Sequence, residues 1–181
     1  MADLSIRSIF GEHPTTEVIR QLADNLPTVM GPAVYDISVS HDLAVAECAY
    51  NLDRDQYEAG ILLSVLRSVS EPCAKRSLAV TDVDLYSPPL NFVFGQADCP
   101  GRFAVLSIHR LRPGFYDKEA DAELLLDRSL KEAVHEVAHT FGLRHCTRPT
   151  CVMSFSNSIL DVDRKTVNFC SRCLAELGER S

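Results

Sequence analysis

The sequence predicts an α/β chain of the α+β kind: a mixed, mostly parallel five-stranded sheet with an antiparallel strand, one long buried helix, and a smaller, mainly helical C-terminal part. Three observations carry that expectation. In the N-terminal half, strand-like runs alternate with helix-like runs, the pattern of parallel neighbours joined by helical crossovers. Two later runs, 90 to 98 and 101 to 111, are separated by a short turn only, which points to an antiparallel pair. A strongly apolar helical stretch then follows, and a helix of that character belongs in the middle of the protein.

Residues 4 to 10, LSIRSIF, alternate apolar and polar side chains as a half-buried strand does. TTEVIRQLADNLP reads as a helix, with Thr15 or Thr16 as N-cap, Val18, Ile19, Leu22 and Leu26 on one stripe, and Pro27 as its stop. AVYDISVSHDLAV, 33 to 45, is the second strand, and DRDQYEAGILLSVLRSV, 53 to 69, a second helix weakened by Gly60. SLAVTDVDLYS, 77 to 87, is the third strand, ended by Pro88 and Pro89, which cannot donate to a sheet ladder. LNFVFGQAD, 90 to 98, is the fourth strand and GRFAVLSIHRL, 101 to 111, the fifth. A polar loop over 112 to 124 leads into the long helix, where Leu124, Leu125, Leu126, Leu130, Ala133, Val134, Val137 and Ala138 supply the apolar surface. Beyond it, Ser156 or Asn157 is expected to cap a short helical turn toward Asp163. Thr166 or Asn168 is expected to cap a last helix whose first turn carries Cys170 and Cys173.

At 181 residues the chain is about one domain, and 46% hydrophobic against 24% charged residues is the balance of an ordinary soluble globule. No apolar run approaches a membrane span. The start, MADLSIRSIFGEHP, has no basic n-region and too short an apolar core for a secretory signal, so a cytoplasmic location is expected. A net charge of -7 argues against a nucleic-acid backbone as partner, which calls for basic patches. Of the seven cysteines, Cys48, Cys73 and Cys99 have no metal-like spacing and read as plain thiols in a reducing compartment, with Cys99 near enough to a cleft to note. His13, His41 and His109 are isolated and read as surface or hydrogen-bonded histidines, although His109, at a strand end, could approach the cleft.

The chemistry lies between His135 and Cys173. His135 and His139 are four apart, so on a helix they share a face and can offer imidazole nitrogens to one metal. His145 is the natural third ligand, and Gly142 supplies the turn that lets it come back. Three protein ligands are the mark of a catalytic zinc, which keeps a position open for water. Glu136 then acts as general base and afterwards general acid. The competing reading, an amphipathic helix with two surface histidines, fits HExxH alone far better than it fits HExxHxxGxxH. Cys146 and Cys151 form Cx4C, and Cys170 and Cys173 form CxxC, a set that closes a structural zinc site. Two disulfides or four unrelated buried thiols are the alternatives. His145 and Cys146 are neighbours, and in an extended strip their side chains point to opposite faces, so one strip serves both ions. Asp161 and Asp163 could orient an imidazole, or could simply be helix-end charges.

The series HExxHxxGxxH, Cx4CxM and distal CxxC resembles the archaemetzincins, a branch of the metzincin zinc peptidases, and is specific over residues 135 to 173. The resemblance implies a metzincin-like fold: an N-terminal subdomain, 1–142, with the sheet and active-site helix, and a C-terminal one, 143–181, with the Met-turn and four-cysteine zinc, the cleft between them. It places Met153 in a turn beneath the catalytic zinc, where it packs without ligating; a gap-filling core methionine is physically nearly the same. It also makes the fourth strand the antiparallel edge beside the cleft, where a peptide extends the sheet. Gly95 and Gln96 are then candidates for the cleft rim, with a plain hairpin end as the competing reading.

The expectation is a zinc-dependent peptidase with two zinc ions per chain, acting as a monomer on a peptide or protein, with neither nucleic acid nor membrane as partner. A zinc-stabilised peptide-binding protein without turnover is one rival, though it has no need of Glu136. A metal hydrolase of a non-peptide amide is another.

Overall fold

Short apolar strands set the framework, and the helices cover both of their faces. The chain is seen in a computed structural model that describes residues 2–10, 15–40, 43–44, 47–69 and 74–180, so His13, His41 and Cys73 lie outside the described residues. Strand β1 (Ala2–Phe10) leads to α1 (Thr16–Met30), then β2 (Ile37–Val39), β3 (Leu43–Ala44), β4 (Tyr50–Asn51) and β5 (Gln56–Glu58). Helix α2 (Ala59–Val69) is followed by β6 (Ala74–Thr81), β7 (Leu85–Ser87), β8 (Leu90–Val93), β9 (Gly95–Ala97) and β10 (Phe103–Ser107). Helices α3 (Ala122–Thr140), α4 (Ile159–Arg164) and α5 (Ser171–Arg180) complete the order.

The main sheet runs β2-β1-β6-β10-β9, with β3 also paired to β1. Its pairs are parallel except β9 with β10, so the expected mixed sheet with an antiparallel edge is present, with six strands among the described residues instead of five. A second sheet, β4-β5-β7-β8, was not expected. Strands of two to four residues carry too little periodicity to be read. The expected third and fourth strands each cross from one sheet to the other: 77–87 splits into β6 and β7, and 90–98 into β8 and β9.

Other boundaries moved for physical reasons. In β1, Leu4 to Ile9 are all buried, because helices cover the strand on both faces. Its serines stay satisfied there by pairing with hydroxyls, Ser5 with Ser40 and Ser8 with Thr15. Helix α1 passes through Pro27 and stops at Gly31, whose φ is +55°. A helical proline costs roughly 3 kcal/mol, and burial of Leu26 and Met30 around it returns about 1.5–3 kcal/mol each. Of the expected strand 33–45 the described residues form only β2 and β3, and of the helix 53–69 only α2, its first residues being turn and β5.

One core joins α1, α3, one face of the main sheet and the C-terminal segment, including Cys146, Met153, Val162 and Leu177. The N-cap of α3 is Asp121, which accepts from the Leu124 N–H at 2.9 Å. Ser158, instead of Ser156 or Asn157, precedes α4. Cys170, instead of Thr166 or Asn168, immediately precedes α5, and its carbonyl accepts from the Leu174 N–H at 2.9 Å. Among the described residues no helix is long and apolar enough to cross a membrane.

Candidate active site

Helix α3 brings His135 and His139 one turn apart and ends at Thr140. Gly142, at φ +92°, then reverses the chain, its N–H bonded to the His139 carbonyl at 2.8 Å. A side chain there would be strained by φ and would also put Cβ 2.8 Å from Arg180 Nη1. The turn returns His145 to the other two imidazoles, with ring centroids 4.5, 4.9 and 5.3 Å apart. His135 is buried, His139 half-buried and His145 exposed.

Hydrogen bonds settle which nitrogens face inward. His135 Nδ1 lies 2.8 Å from the Val152 carbonyl, and His139 Nδ1 lies 2.6 Å from that of Leu143. A carbonyl only accepts, so each Nδ1 carries the proton and each neutral ring keeps a lone pair on Nε2. Those two Nε2 atoms are 3.0 Å apart. Facing lone pairs repel unless a cation lies between them. Nitrogens bound at 2.0–2.1 Å to a tetrahedral zinc stand about 3.3 Å apart, close to what is seen. Burial holds the His135 imidazole well below its usual range and His139 at about 4, while burial and the Lys165 cation lower His145. All three are therefore neutral near pH 7, the form that binds a metal.

Glu136 is also buried. Burial first, and the negative Glu132 second, hold its carboxyl well above the usual carboxylate range, with Lys165 opposing them. Its side chain rests on β9: a Cβ on Gly95 would come within 2.7 Å of Glu136 Cγ and 2.8 Å of Cδ, and within 2.7 Å of the Val105 carbonyl. Only glycine fits there. Across β9, Phe94 accepts from the Ser107 N–H and the Asp98 N–H donates to Phe103, with Gln96 opposite Val105. Gly95 and Ala97 therefore point their backbone N–H and C=O away from β10, along the free edge of the sheet. The Gln96 side chain turns to the other face, toward Gly60 of α2. The cleft beside this edge has a volume of about 610 Å³, with Phe92, Phe94 and Phe155 among its walls.

The four cysteines meet behind His145. Cys146 is bridged to Ser154, and its N–H donates to the Met153 carbonyl at 2.8 Å. Bonds from Val152 N–H to Asn168 and from Thr166 N–H to Thr150, both 3.0 Å, bring in the segment that ends at Cys170. Cys173 follows in the first turn of α5. The four sulfurs lie within 4.8 Å of one another, Cys146 and Cys170 at 3.8 Å, and all four are free thiols, which excludes the disulfide alternative. Sulfurs at 2.3 Å from a tetrahedral zinc are about 3.8 Å apart. N–H donors already point at them, from Arg148 and Arg172 to Cys146 and from Cys170 to Cys151. The Cys173 backbone N–H holds the Cys170 thiol down at about 6, whereas burial pushes Cys151 and Cys173 up. Four sulfurs this close cannot all ionise without a cation, and the donor set suits zinc.

Other expected residues fall elsewhere. Asp163 binds Arg128 through both oxygens, at 2.7 and 2.8 Å, and Asp161 accepts from the Ser158 hydroxyl at 2.8 Å, so neither orients an imidazole. His109 bonds the Asp82 carbonyl at 3.0 Å and packs its edge against Phe115, outside the cleft walls. Met153 is fully buried in the turn between Val152 and Ser154. Cys48 is exposed, and Cys99 lines the cleft. Spacing and composition do not point to Lys165 and Glu132, an ion pair at 2.7 Å with side chains 0% and 3% exposed. Its one readable signal was Glu132 standing four residues before Glu136 on the same helical face.

The chain matches the model of Peptidase family M54 over residues 29–179. It is 53% identical over 135 residues to an archaemetzincin of Methanopyrus kandleri, covering 75% of this chain and 73% of that protein. An archaemetzincin of Pyrococcus furiosus is 40% identical over 183 residues, covering 99% and 95%. The crystal structure of the Methanopyrus archaemetzincin superposes with a TM-score of 0.86 at 41% identity, covering 99% of this chain and 94% of that one.

Proposed function

Since the chain belongs to the archaemetzincins, the zinc metallopeptidases of Peptidase family M54, we propose that His135, His139 and His145 hold a catalytic zinc ion and Cys146, Cys151, Cys170 and Cys173 a structural one. The observation that carries this reading is the pair of imidazole lone pairs at 3.0 Å, which a shared cation reconciles. When bound, the catalytic ion polarises the scissile carbonyl and lowers the pKa of water toward about 7.

The chain's own residues do the rest. Glu136, ionised once a bound cation offsets the burial that disfavours its charge, takes a proton from the attacking water and delivers it to the departing amine. Gly95 keeps that carboxylate close against β9. The outward backbone groups of Gly95 and Ala97 bind the peptide as an added strand, and Phe92, Phe94 and Phe155 receive apolar side chains. The carbonyls of Val152 and Leu143 fix the tautomers of the two buried imidazoles. Met153 packs beneath the histidines. Residues 1–142 and 143–181 act as two subdomains, a division supported by a cleft with walls from both. The protein works as a cytoplasmic monomer on peptides, with no nucleic-acid or membrane partner, consistent with its net charge of -7.

Cleavage of a broad peptide library by the zinc-loaded chain and by Glu136→Ala tests the reading. The variant should be slower by roughly 10²–10⁴-fold, the usual worth of a positioned acid–base group. Equal processing by both, or none by the fully loaded wild type, would overturn it.

A further inference from the structure

Arg144 sits between Leu143, whose carbonyl receives the His139 Nδ1–H, and His145. It is exposed, lines the cleft, and is the one cationic residue among the described residues that form its walls. Most other arginines are occupied: Arg67 by Asp98, Arg110 by Asp84, Arg128 by Asp163 and Arg180 by Glu176. The guanidinium of Arg144 makes no hydrogen bond, ion pair or ring contact with the described residues. The two acidic residues in the walls are buried and turned to other work: Glu132 pairs with Lys165, and Glu136 lies against β9. The backbone under Arg144 is well anchored, since Leu143 is buried and its N–H bonds the Ala138 carbonyl at 3.3 Å. A planar cationic fork on a fixed backbone, with its donors unspent and facing a peptide-sized groove, is suited to grip a carboxylate through two parallel hydrogen bonds.

We propose that Arg144 is a specificity residue that binds a carboxylate of the peptide, either its C-terminus or an aspartate or glutamate side chain near the scissile bond. The proposal rests on the peptidase reading, and its test must fail separately from it. Binding is measured by calorimetry on the zinc-loaded full chain carrying Glu136→Gln, so that no turnover interferes. The probes are matched hexapeptides: a neutral amidated one, the same with a free C-terminus, and amidated versions with one Asp replacing Asn at each position in turn.

Carboxylate-bearing probes should bind about tenfold tighter than the neutral one, a modest share of a charge-assisted hydrogen bond. Tighter binding of the free C-terminus identifies the terminal source, and tighter binding of one Asp position the side-chain source. Arg144→Ala should abolish the preference, Arg144→Lys should keep part of it, and Arg144→Glu should reverse it, so that the neutral probe binds tighter than the carboxylate-bearing ones. No preference in the parent protein, or a preference that survives Arg144→Ala, overturns the proposal. Parallel digestion with Glu136 intact separates the two readings. Cleavage without carboxylate preference leaves the peptidase standing and removes the role of Arg144. Carboxylate-dependent binding without cleavage does the reverse, and no binding of any probe removes both.

Discussion

The two donor clusters, neighbours through His145 and Cys146, are built in opposite ways. Two of the three imidazoles stand on α3, a 19-residue helix buried over most of its length from Arg128 onward, and two backbone carbonyls hold their rings. Of the four sulfurs only that of Cys173 stands within a helix, and the other three are carried by irregular chain held through a one-residue bridge and a few backbone bonds. A donor set on a packed helix keeps its shape by itself, so its ion is free to bind and leave. A set on irregular chain depends on its ion for shape. On the reading proposed above, the open site is preorganised for chemistry and the closed one is a fastening.

The largest expected effect lies on the fastening side. Structural zinc in small zinc-finger peptides contributes about 10–16 kcal/mol of apparent folding free energy. Cys151→Ser should therefore loosen residues 143–180, seen as faster amide hydrogen exchange there and a lower Tm, while the main sheet stays protected. Unchanged exchange in that segment would erase the contrast between the clusters.

Lys165 joins the two regions. Its neighbour Thr166 bonds Thr150 in the cysteine loop, while its own ammonium meets Glu132 on α3, with no further hydrogen-bond partner among the described residues. Breaking a buried ion pair by removing one partner costs about 3–5 kcal/mol, because the other charge is left buried. Lys165→Met should lose that much in urea unfolding, and adding Glu132→Leu should recover most of it. A loss below about 1 kcal/mol would mean that the pair is solvated.

The smallest effect tests the open side alone. Gly95→Ala pushes against both Glu136 and the Val105 carbonyl, and a displacement of about 1 Å at a reacting group can cost about 10²-fold in rate. The variant should keep its metal content and lose kcat/KM by about that factor. Full activity would show that Glu136 does not depend on the close approach of β9.

The open site was legible because its signals are local: four-residue spacing on a helix, then a glycine where the chain must reverse. The cysteine set was legible by spacing alone. The partners of the imidazoles were not, since every residue has a carbonyl and only the fold decides that those of Val152 and Leu143 come close. The partner of Asp163 was hidden for the same reason, because nothing local shows that Arg128, 35 positions away, claims both oxygens of this helix-end charge. Within α3 the apolar positions were read as one broad surface, yet Arg128, Lys131 and Glu132 are buried as well, each supported by a partner distant in sequence or one turn away. The central strands β1, β6 and β10 of the main sheet could be read from longer apolar runs, and the second sheet, made of strands of two to four residues, could not.

Metal content during graded chelation tests the account most directly. The purified chain should carry two zinc ions. A mild chelator should remove one, abolishing cleavage while circular dichroism and Tm hardly change, and the second should leave only as the C-terminal segment unfolds. A single ion per chain, or two that depart together with the fold, would contradict an open site beside a fastening.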